Sequence, residues 1–369
     1  MIFIVIAIIM FLMLITVHEW GHFIFAKLVG VRVNEFAIGM GPAVLKKQVG
    51  ETLYALRAVP IGGYCAMEGE DEDSTDPRAF GNQAAWKRIL ILVAGAGMNF
   101  VFAFVLAVVL LGIGEGDTLP VPVIDSLYPN SALAQNITPL QYGDRIFEIN
   151  GNRVFTKGDL SFYFGQSYTG VDSKADILIL RPAENGDGIQ ELFIPQMYFD
   201  YQMYIGEDGS QTGPLLGITL QMEEKNLLSV FYHGFFTVIN DVRLVWLSLG
   251  ELVSGAVTIQ DMSGPIGIVD IMATTTSEAA EESMTLGVQN ILRFTILISA
   301  NLAVMNMLPL PALDGGRIFF TIVGGVYTKL TRKKMNSRIE AYIHGIGFFL
   351  LLCLMVFVAF HDVIRLIGG

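Results

Sequence analysis

The chain has 369 residues, of which 53% are hydrophobic and only 16% are charged. Soluble domains carry about 25% charged residues, so this composition, with a mean hydropathy of +0.54, excludes an ordinary soluble protein and indicates an integral membrane protein. The formal net charge of −12 argues against nucleic-acid binding.

The first predicted element is an apolar helix over residues 1–28, which is long enough to cross a bilayer. It contains an H-E-x-x-H sequence, with His18 and His22 at positions i and i+4. Such residues share one helix face, so both can reach one metal ion, with Glu19 beside it where a general base for hydrolysis must lie. Ionisable groups in a membrane helix are costly and usually functional. A soluble core helix with two hydrogen-bonded histidines is the alternative, and we expect no cleavable signal peptide.

Residues 29–88 are predicted to form a membrane-associated β-hairpin region, because short alternating runs are separated there by Gly and Pro. Unpaired backbone groups in lipid are costly, and an exposed strand edge can pair with an extended peptide by adding it as a strand. An ordinary cytoplasmic hairpin is the alternative.

Three further segments are predicted to span the membrane, and one apolar segment is not. The spans are residues 89–113, 291–316 and 343–369, the last including the C-terminus. The apolar stretch from Leu227 to Leu249 has polar and charged residues in its middle, so we predict an amphipathic helix, followed by a linker, over residues 227–290. A fifth span is the alternative for this stretch.

The distribution of Lys and Arg predicts the orientation. Residues 29–88 and the loop 317–342 are rich in these residues and should be cytoplasmic, whereas the acidic segment between the second and third spans should be outside. Both termini are then extracytoplasmic. With four spans in this orientation, the first and third spans run in the same direction. Asp314, which follows the third span, then reaches the same side of the membrane as the H-E-x-x-H histidines.

The extracytoplasmic residues 114–226 are predicted to form a small α/β domain with short strands and two short helices. The sequences Gly143-Asp144-Arg145-Ile146 and Ile149–Val154 resemble those of a PDZ domain. PDZ grooves bind peptide ends or strands by β-addition, so this domain could gate access to the membrane site.

Catalytic zinc usually has three protein ligands and an open position, so the two histidines need a third partner. Asp314 is the best candidate, because Pro309 and Pro311 end the helix before it and two glycines after it permit a tight turn. Glu35 is a rival, although its surroundings indicate a strand. An Asp that only caps a helix in a cytoplasmic loop is the alternative.

The His18–His22 motif and the segment Asn306–Gly315 together resemble the site-2 protease family of intramembrane zinc metalloproteases, in its bacterial regulator-of-sigma-E-protease branch. The resemblance implies Zn²⁺ held by His18, His22 and Asp314, with Glu19 activating water. It implies a multi-pass protein of the bacterial inner membrane that cleaves single-span membrane proteins, such as anti-sigma factors or signal-peptide remnants. It also implies a set of substrate-binding residues: Asn306, Gly39, Gly41, Gly62, Gly63, Pro309 and Pro311.

The predicted fold is thus a polytopic α-helical membrane protein with four transmembrane helices, a membrane-associated hairpin region and an extracytoplasmic PDZ-like α/β domain. The main alternative in function is a non-proteolytic membrane scaffold that presents the PDZ domain. Two others are a metal transporter and a membrane-anchored protease of soluble substrates. We expect no disulfide between Cys65 and Cys353, and structural roles for His233, His344 and His361.

Overall fold

The computed structural model describes residues 2–70, 72, 74–114, 116–128, 130–170, 172–183, 188–205, 211–255, 264–332 and 337–368. The chain divides into two compact units. One unit comprises Met1–Leu110 and Asp241–Gly369, and the other comprises Leu111–Asn240.

The described elements follow one another in this chain order. The helices are α1 (Ile2–Val29), α2 (Ala85–Ile113), α3 (Lys157–Ser167), α4 (Leu227–Ser254), α5 (Pro265–Glu282), α6 (Met284–Asn306), α7 (Asp314–Thr331) and α8 (Ser337–Gly368). The strands are β1 (Val33–Val49), β2 (Thr52–Met67), β3 (Thr118–Leu127), β4 (Arg145–Ile149), β5 (Asn152–Arg153), β6 (Ser173–Pro182), β7 (Ile189–Phe199), β8 (Gln202–Ile205), β9 (Gln211–Leu215) and β10 (Ile218–Glu224). Short 3₁₀ helices cover Phe80–Asn82 and Ala132–Gln135.

Four of the described helices are long and apolar enough to cross a membrane. The candidate spans are Val5–Val29, Ala85–Ile113, Met284–Asn306 and Tyr342–Ile364, which lie in α1, α2, α6 and α8. Each overlaps one of the four apolar segments predicted from the sequence, although the third ends at Asn306 and not at residue 316. The helix α4 is not among them, in keeping with its predicted amphipathic character.

The hairpin region consists of the two long strands β1 and β2, whose pairing is interrupted by register shifts, as the predicted short runs suggest. Residues Glu35–Ile38 of β1 each pair with two residues of β2, so that Phe36 lies opposite both Tyr54 and Cys65, whereas residues from Met40 to Val49 pair with β2 once. The turn between the strands is held to the end of α1 by Glu51, which accepts a hydrogen bond from Lys27 at 2.8 Å and binds Arg78 at 2.7 Å. Hydrogen bonds from Arg78 and Lys27 lower the pKa of Glu51 to about 2.

Two segments predicted as connections contain helices. The predicted cytoplasmic loop 317–342 holds most of α7, and the predicted linker after α4 holds α5. Both helices combine apolar and polar faces. A search for long apolar runs does not detect such helices, because polar residues interrupt the runs. Residues 256–263 of the predicted linker lie outside the described residues.

The start of α5 is fixed by a carboxylate from α8. Asp362 is buried, and its two oxygens accept hydrogen bonds from the backbone N–H groups of Gly264 at 3.1 Å and Gly267 at 2.9 Å. A negative charge at this end of a helix satisfies otherwise unpaired N–H donors. The helix then packs through Met272 against Ala7 and Met10 of α1.

The second unit is an α/β domain around an antiparallel sheet in the order β10-β3-β4-β6-β7, with β5 paired to β4. The helix α3 begins with a capping box between Thr156 and Asp159 and buries Phe164 against Phe199 of the sheet. The strands and the two short helices predicted from the sequence are present. The strands β7 and β10, which complete the two sides of the sheet, were not predicted.

Candidate metal centre

Three ligand atoms from two distant parts of the chain lie at nearly equal separations. His18 Nε2 and His22 Nε2 are 3.2 Å apart, and they lie 3.2 and 3.3 Å from Asp314 Oδ2. Zinc with bonds of about 2.0–2.1 Å in a tetrahedral site separates its ligand atoms by about 3.3–3.4 Å. The triangle therefore has the size that zinc requires.

The donor set and its burial also fit a metal ion. Among the described residues, these three form a group that could hold a metal ion. Asp314 Oδ2 is buried, and the described part of the chain offers it no ordinary hydrogen-bond donor apart from the two imidazole rings. Two imidazole nitrogens and one carboxylate oxygen are ligands that zinc commonly takes in catalytic sites.

The imidazole of His22 is oriented by the backbone of α2. His22 is 6% exposed, and its Nδ1 lies 2.9 Å from the carbonyl oxygen of Ile91. A carbonyl can only accept, so Nδ1 carries the proton and Nε2 keeps its lone pair for the metal.

The other histidine ligand is contacted by an amide that the sequence analysis missed. The side-chain nitrogen of Asn99, a fully buried residue in α2, lies 3.3 Å from His18 Nδ1, while Asn99 Oδ1 has no hydrogen-bond partner among the described residues. The two ends of an amide are assigned from their hydrogen bonds, and exchanging them places an acceptor at the protonated Nδ1 that a metal-bound His18 requires. The available signal was that Asn99 is the one amide in an otherwise apolar span.

We expect the Asn99→Leu variant to bind zinc about 10–100-fold more weakly than the wild type, because an outer partner of a ligating histidine contributes to affinity by this factor. Isothermal titration of the metal-free protein measures this affinity. The control is Ser299→Ala, which removes the 2.8 Å hydrogen bond to the Asn99 backbone carbonyl and leaves the amide in place. Equal zinc affinity in Asn99→Leu and wild type would show that the amide does not support the ligand.

Glu19 lies between the metal ligands and the hairpin. Its Oε2 accepts a hydrogen bond from the backbone N–H of Cys65 in β2 at 3.0 Å. A Cβ added at Gly63 would lie 3.8 Å from Glu19 Cγ, so this glycine is also close to the carboxylate. Burial raises the pKa of the Cys65 thiol, and Cys65 does not belong to the group of possible metal ligands among the described residues.

The rival ligand, Glu35, is occupied elsewhere. Its Oε1 forms an ion pair with Arg57 at 2.5 Å, and it is not in the metal-binding group. The prediction that Asp314 is the better candidate agrees with this placement.

A cavity of about 440 Å³ opens next to the three ligand atoms. Its walls come from α1, α2, β2, the end of α6 and the start of α7. They comprise His18, Glu19, His22, Tyr64, Cys65, Ala66, Met67, Glu70, Leu92, Asn306, Ala312, Leu313, Asp314 and Arg317. On one wall, Arg317 of α7 forms an ion pair with Glu70, which follows β2. The cavity is therefore bordered by the candidate metal ligands, the general-base candidate and one strand of the hairpin.

The predicted substrate-binding residues are only partly brought to this cavity. Asn306 lines it, with its side-chain nitrogen 3.5 Å from His18 Nδ1, and Gly63 lies beside Glu19. The remaining residues are not in the cavity wall: Gly39, Gly41, Gly62, Pro309 and Pro311. Gly39, Gly41 and Gly62 have positive φ angles of 82°, 83° and 82° and shape the hairpin.

The turn between α6 and α7 is held by α8. The backbone N–H of Ala312 donates to His344 Nδ1 at 2.9 Å, and Ala312 itself has a φ of 74°. Cβ atoms added at Gly315 or Gly316 would overlap with the carbonyl groups of Leu308 and Leu310, respectively. His344 thus has the structural role that was predicted, and the turn fixes the position of Asp314.

The close approach of α2 to the ligands depends on a second residue that the sequence analysis missed. A Cβ added at Gly95 would overlap with His22 Nε2 and lie 2.8 Å from His18 Cε1. On the facing helix, a Cβ at Gly21 would collide with the carbonyl of Ala94. Small residues let membrane helices approach closely, and the Ala94-Gly95-Ala96-Gly97 stretch carries that signal.

Two histidines, an aspartate and an adjacent glutamate at one cavity, with three of them on a helix able to cross a membrane, define the class of membrane-embedded metallopeptidases. The model of peptidase family M50 matches residues 6–354. The chain belongs to this family.

Curated relatives match almost the whole chain. A protein of Clostridium acetobutylicum, provisionally named a zinc metalloprotease, is 36% identical over 362 residues, covering 98% of this chain and 97% of the relative. A similarly named protein of Campylobacter jejuni is 32% identical and covers 96% and 91%. The zinc metalloprotease RasP of Shouchella clausii is 28% identical and covers 96% and 97%.

These findings confirm that the chain is a metalloprotease of the site-2 protease type, embedded in a membrane, with zinc as its cofactor. The alternatives of a non-proteolytic scaffold and a metal transporter do not account for the family membership.

Proposed function

We propose that this metalloprotease cleaves the transmembrane segments of single-span membrane proteins in the bacterial inner membrane. The observation that carries the proposal is the position of the ligands. His18, Glu19 and His22 lie within the candidate span Val5–Val29, nearer its C-terminal end. A peptide bond that reaches them must itself enter the membrane region, which favours regulated intramembrane proteolysis over hydrolysis of soluble chains.

In this proposal, His18, His22 and Asp314 hold the metal and Glu19 is the general base. Zinc, when bound, lowers the pKa of water towards ~7 and polarises a carbonyl group. The Glu19 carboxylate is held by the Cys65 N–H at one oxygen, which leaves the other free to accept a proton and pass it to the leaving amine.

The strand β2 supplies the backbone partners that an unwound substrate needs. Its segment Tyr64–Met67 lines the cavity beside Glu19, and Phe36 of β1 pairs with Cys65 on the side away from the carboxylate. A substrate strand added along this segment would place its scissile bond next to the metal. The amide of Asn306 can hold a further substrate backbone group across the cavity.

We infer the remaining parts of the function from the chain's organisation. Both termini and the α/β domain Leu111–Asn240 are extracytoplasmic, and β1, β2 and α7 face the cytoplasm. The α/β domain acts as a PDZ-like module that admits substrates already trimmed outside. Anti-sigma factors and signal-peptide remnants are substrates of this kind.

Cleavage-site mapping tests this proposal. The purified protein is reconstituted in liposomes with a tagged single-span substrate, and the products are measured by mass spectrometry. We expect zinc-dependent cleavage within the apolar segment of the substrate, abolished by a chelator and restored by zinc. Cleavage only in a soluble flanking region would instead support a membrane-anchored protease of soluble substrates.

A further inference from the structure

The helix α7 exposes an apolar stripe that the proposed reaction does not use. Six large side chains on it are between 38% and 79% exposed: Phe319, Ile322, Val323, Val326, Tyr327 and Leu330. Their spacing of three and four residues places them on one helix face. This helix is not among the four candidate spans, so its stripe needs a different covering.

The charge of the segment indicates what covers the stripe. Between Gly315 and Arg338 the sequence has six Lys and Arg residues and no Asp or Glu, in a chain of net charge −12. Lys329 and Arg332 lie at the C-terminal end of α7. Two copies of this chain would bring these cations together, whereas a surface of anionic phospholipid would neutralise them. Basic helices with aliphatic and aromatic residues on one face bind in the headgroup region of such membranes.

One end of α7 is tightly fixed and the other is not. Gly315 and Gly316 are buried against the turn after α6, and Asp314 is the first residue of the helix. From Gly325 to Arg332 every residue is exposed. A surface that covers the exposed C-terminal turns would therefore be connected to Asp314 through one continuous helix.

We propose that α7 lies in the headgroup region of a bilayer that contains anionic phospholipid, with its apolar stripe in the lipid and Lys329 and Arg332 beside the phosphates. This attachment steadies Asp314, so the metal centre responds to the charge of the surrounding lipid. The second statement rests on the proposed ligand role of Asp314, whereas the lipid attachment does not.

The attachment is tested on the full chain, in which Cys353→Ala removes the exposed cysteine and Val326→Cys introduces one label site. An environment-sensitive fluorophore is attached to the new cysteine. The protein is reconstituted in phosphatidylcholine vesicles with or without phosphatidylglycerol. We expect blue-shifted emission and shielding from an aqueous quencher when the anionic lipid is present. The matched control is Thr328→Cys, on the opposite face of the helix, which should stay accessible. Replacing Lys329 and Arg332 with Gln should weaken the attachment by about fivefold for each charge.

Three results would overturn the attachment. One is equal quenching at both label positions, and another is shielding that does not depend on phosphatidylglycerol. The third is thiol crosslinking between copies of the unlabelled Val326→Cys variant in neutral micelles, which would identify a second copy as the covering.

The coupling to Asp314 is measured separately, by zinc retention against a competing chelator. Retention should rise with anionic lipid in the wild type and not in the variant with Gln at positions 329 and 332. Equal retention in both lipid mixtures would contradict the coupling and leave the attachment standing. The fluorescence result should be the same in a Glu19→Gln background, so the test of the lipid attachment does not depend on the proposed proteolysis.

Discussion

Replacement of Glu19 by Gln is expected to lower the rate of substrate cleavage by about 10²–10⁴-fold, the contribution typical of general acid–base catalysis, while zinc stays bound. The amide cannot accept the proton, but it has the shape of the carboxylate and can still accept the hydrogen bond from the Cys65 N–H. Its neighbours His18 and His22 keep their separation because Glu19 is not one of the three ligand residues. The cleavage rate of a tagged single-span substrate in liposomes, together with the zinc content of the same sample, checks this expectation.

The control for this variant is Asp314→Ala, which removes one ligand atom of the triangle. We expect it to lose both zinc and activity, so the two variants differ in metal content although both are inactive. Wild-type activity in Glu19→Gln would exclude Glu19 as the base. Loss of zinc in Glu19→Gln would assign it a role in metal binding instead.

The chemistry of the site could be predicted from the sequence because its residues are chemically unusual where they occur. Two histidines at i and i+4 in an apolar helix have few structural explanations, and Asp314 stands at a turn marked by two prolines. The structure brings these three residues together across almost the whole chain. The i and i+4 spacing of the two histidines and the turn before Asp314 are the local signals that predicted this grouping.

The supporting residues could not be predicted in the same way. Asn99 and Gly95 act through their position against His18 and His22, and the lone amide and the small residues of α2 do not by themselves show that this face meets α1. The glycines of the hairpin are a different case. Gly39 and Gly41 have positive φ angles and are not in the cavity wall, and their predicted contact with substrate stays a prediction.

Among the helices, those with long apolar runs could be predicted from the sequence, and those with mixed apolar and polar faces could not. The four candidate spans follow from length and hydropathy alone, because the bilayer sets both. The helices α5 and α7 have mixed faces, and their positions depend on tertiary partners. The carboxylate that starts α5 comes from Asp362, far away in the sequence. Such a partner is visible only after folding.

Substitution of Gly95 by Ala is expected to lower zinc affinity by at least about 100-fold, the upper end of what outer-shell changes cost. The added methyl group would overlap with His22 Nε2, a proposed ligand atom, and would lie 2.8 Å from His18 Cε1. Either the imidazole rings turn and disturb the triangle of ligand atoms, or α2 moves away and withdraws the Ile91 carbonyl that orients His22. Titration of the metal-free variant with zinc measures the loss.

Gly97→Ala provides the matched control, since it makes the same change in the same helix. A Cβ at Gly97 has no atom within 4 Å among the described residues, so this variant should keep wild-type zinc affinity and activity. A general effect of Gly→Ala on α2 would alter both variants alike, whereas a steric effect at the metal centre alters only Gly95→Ala. Normal zinc binding by Gly95→Ala would therefore mean that α2 does not approach the ligands as closely as the structure places it. It would also contradict the hydrogen bond from His22 to the Ile91 carbonyl, which depends on that close approach.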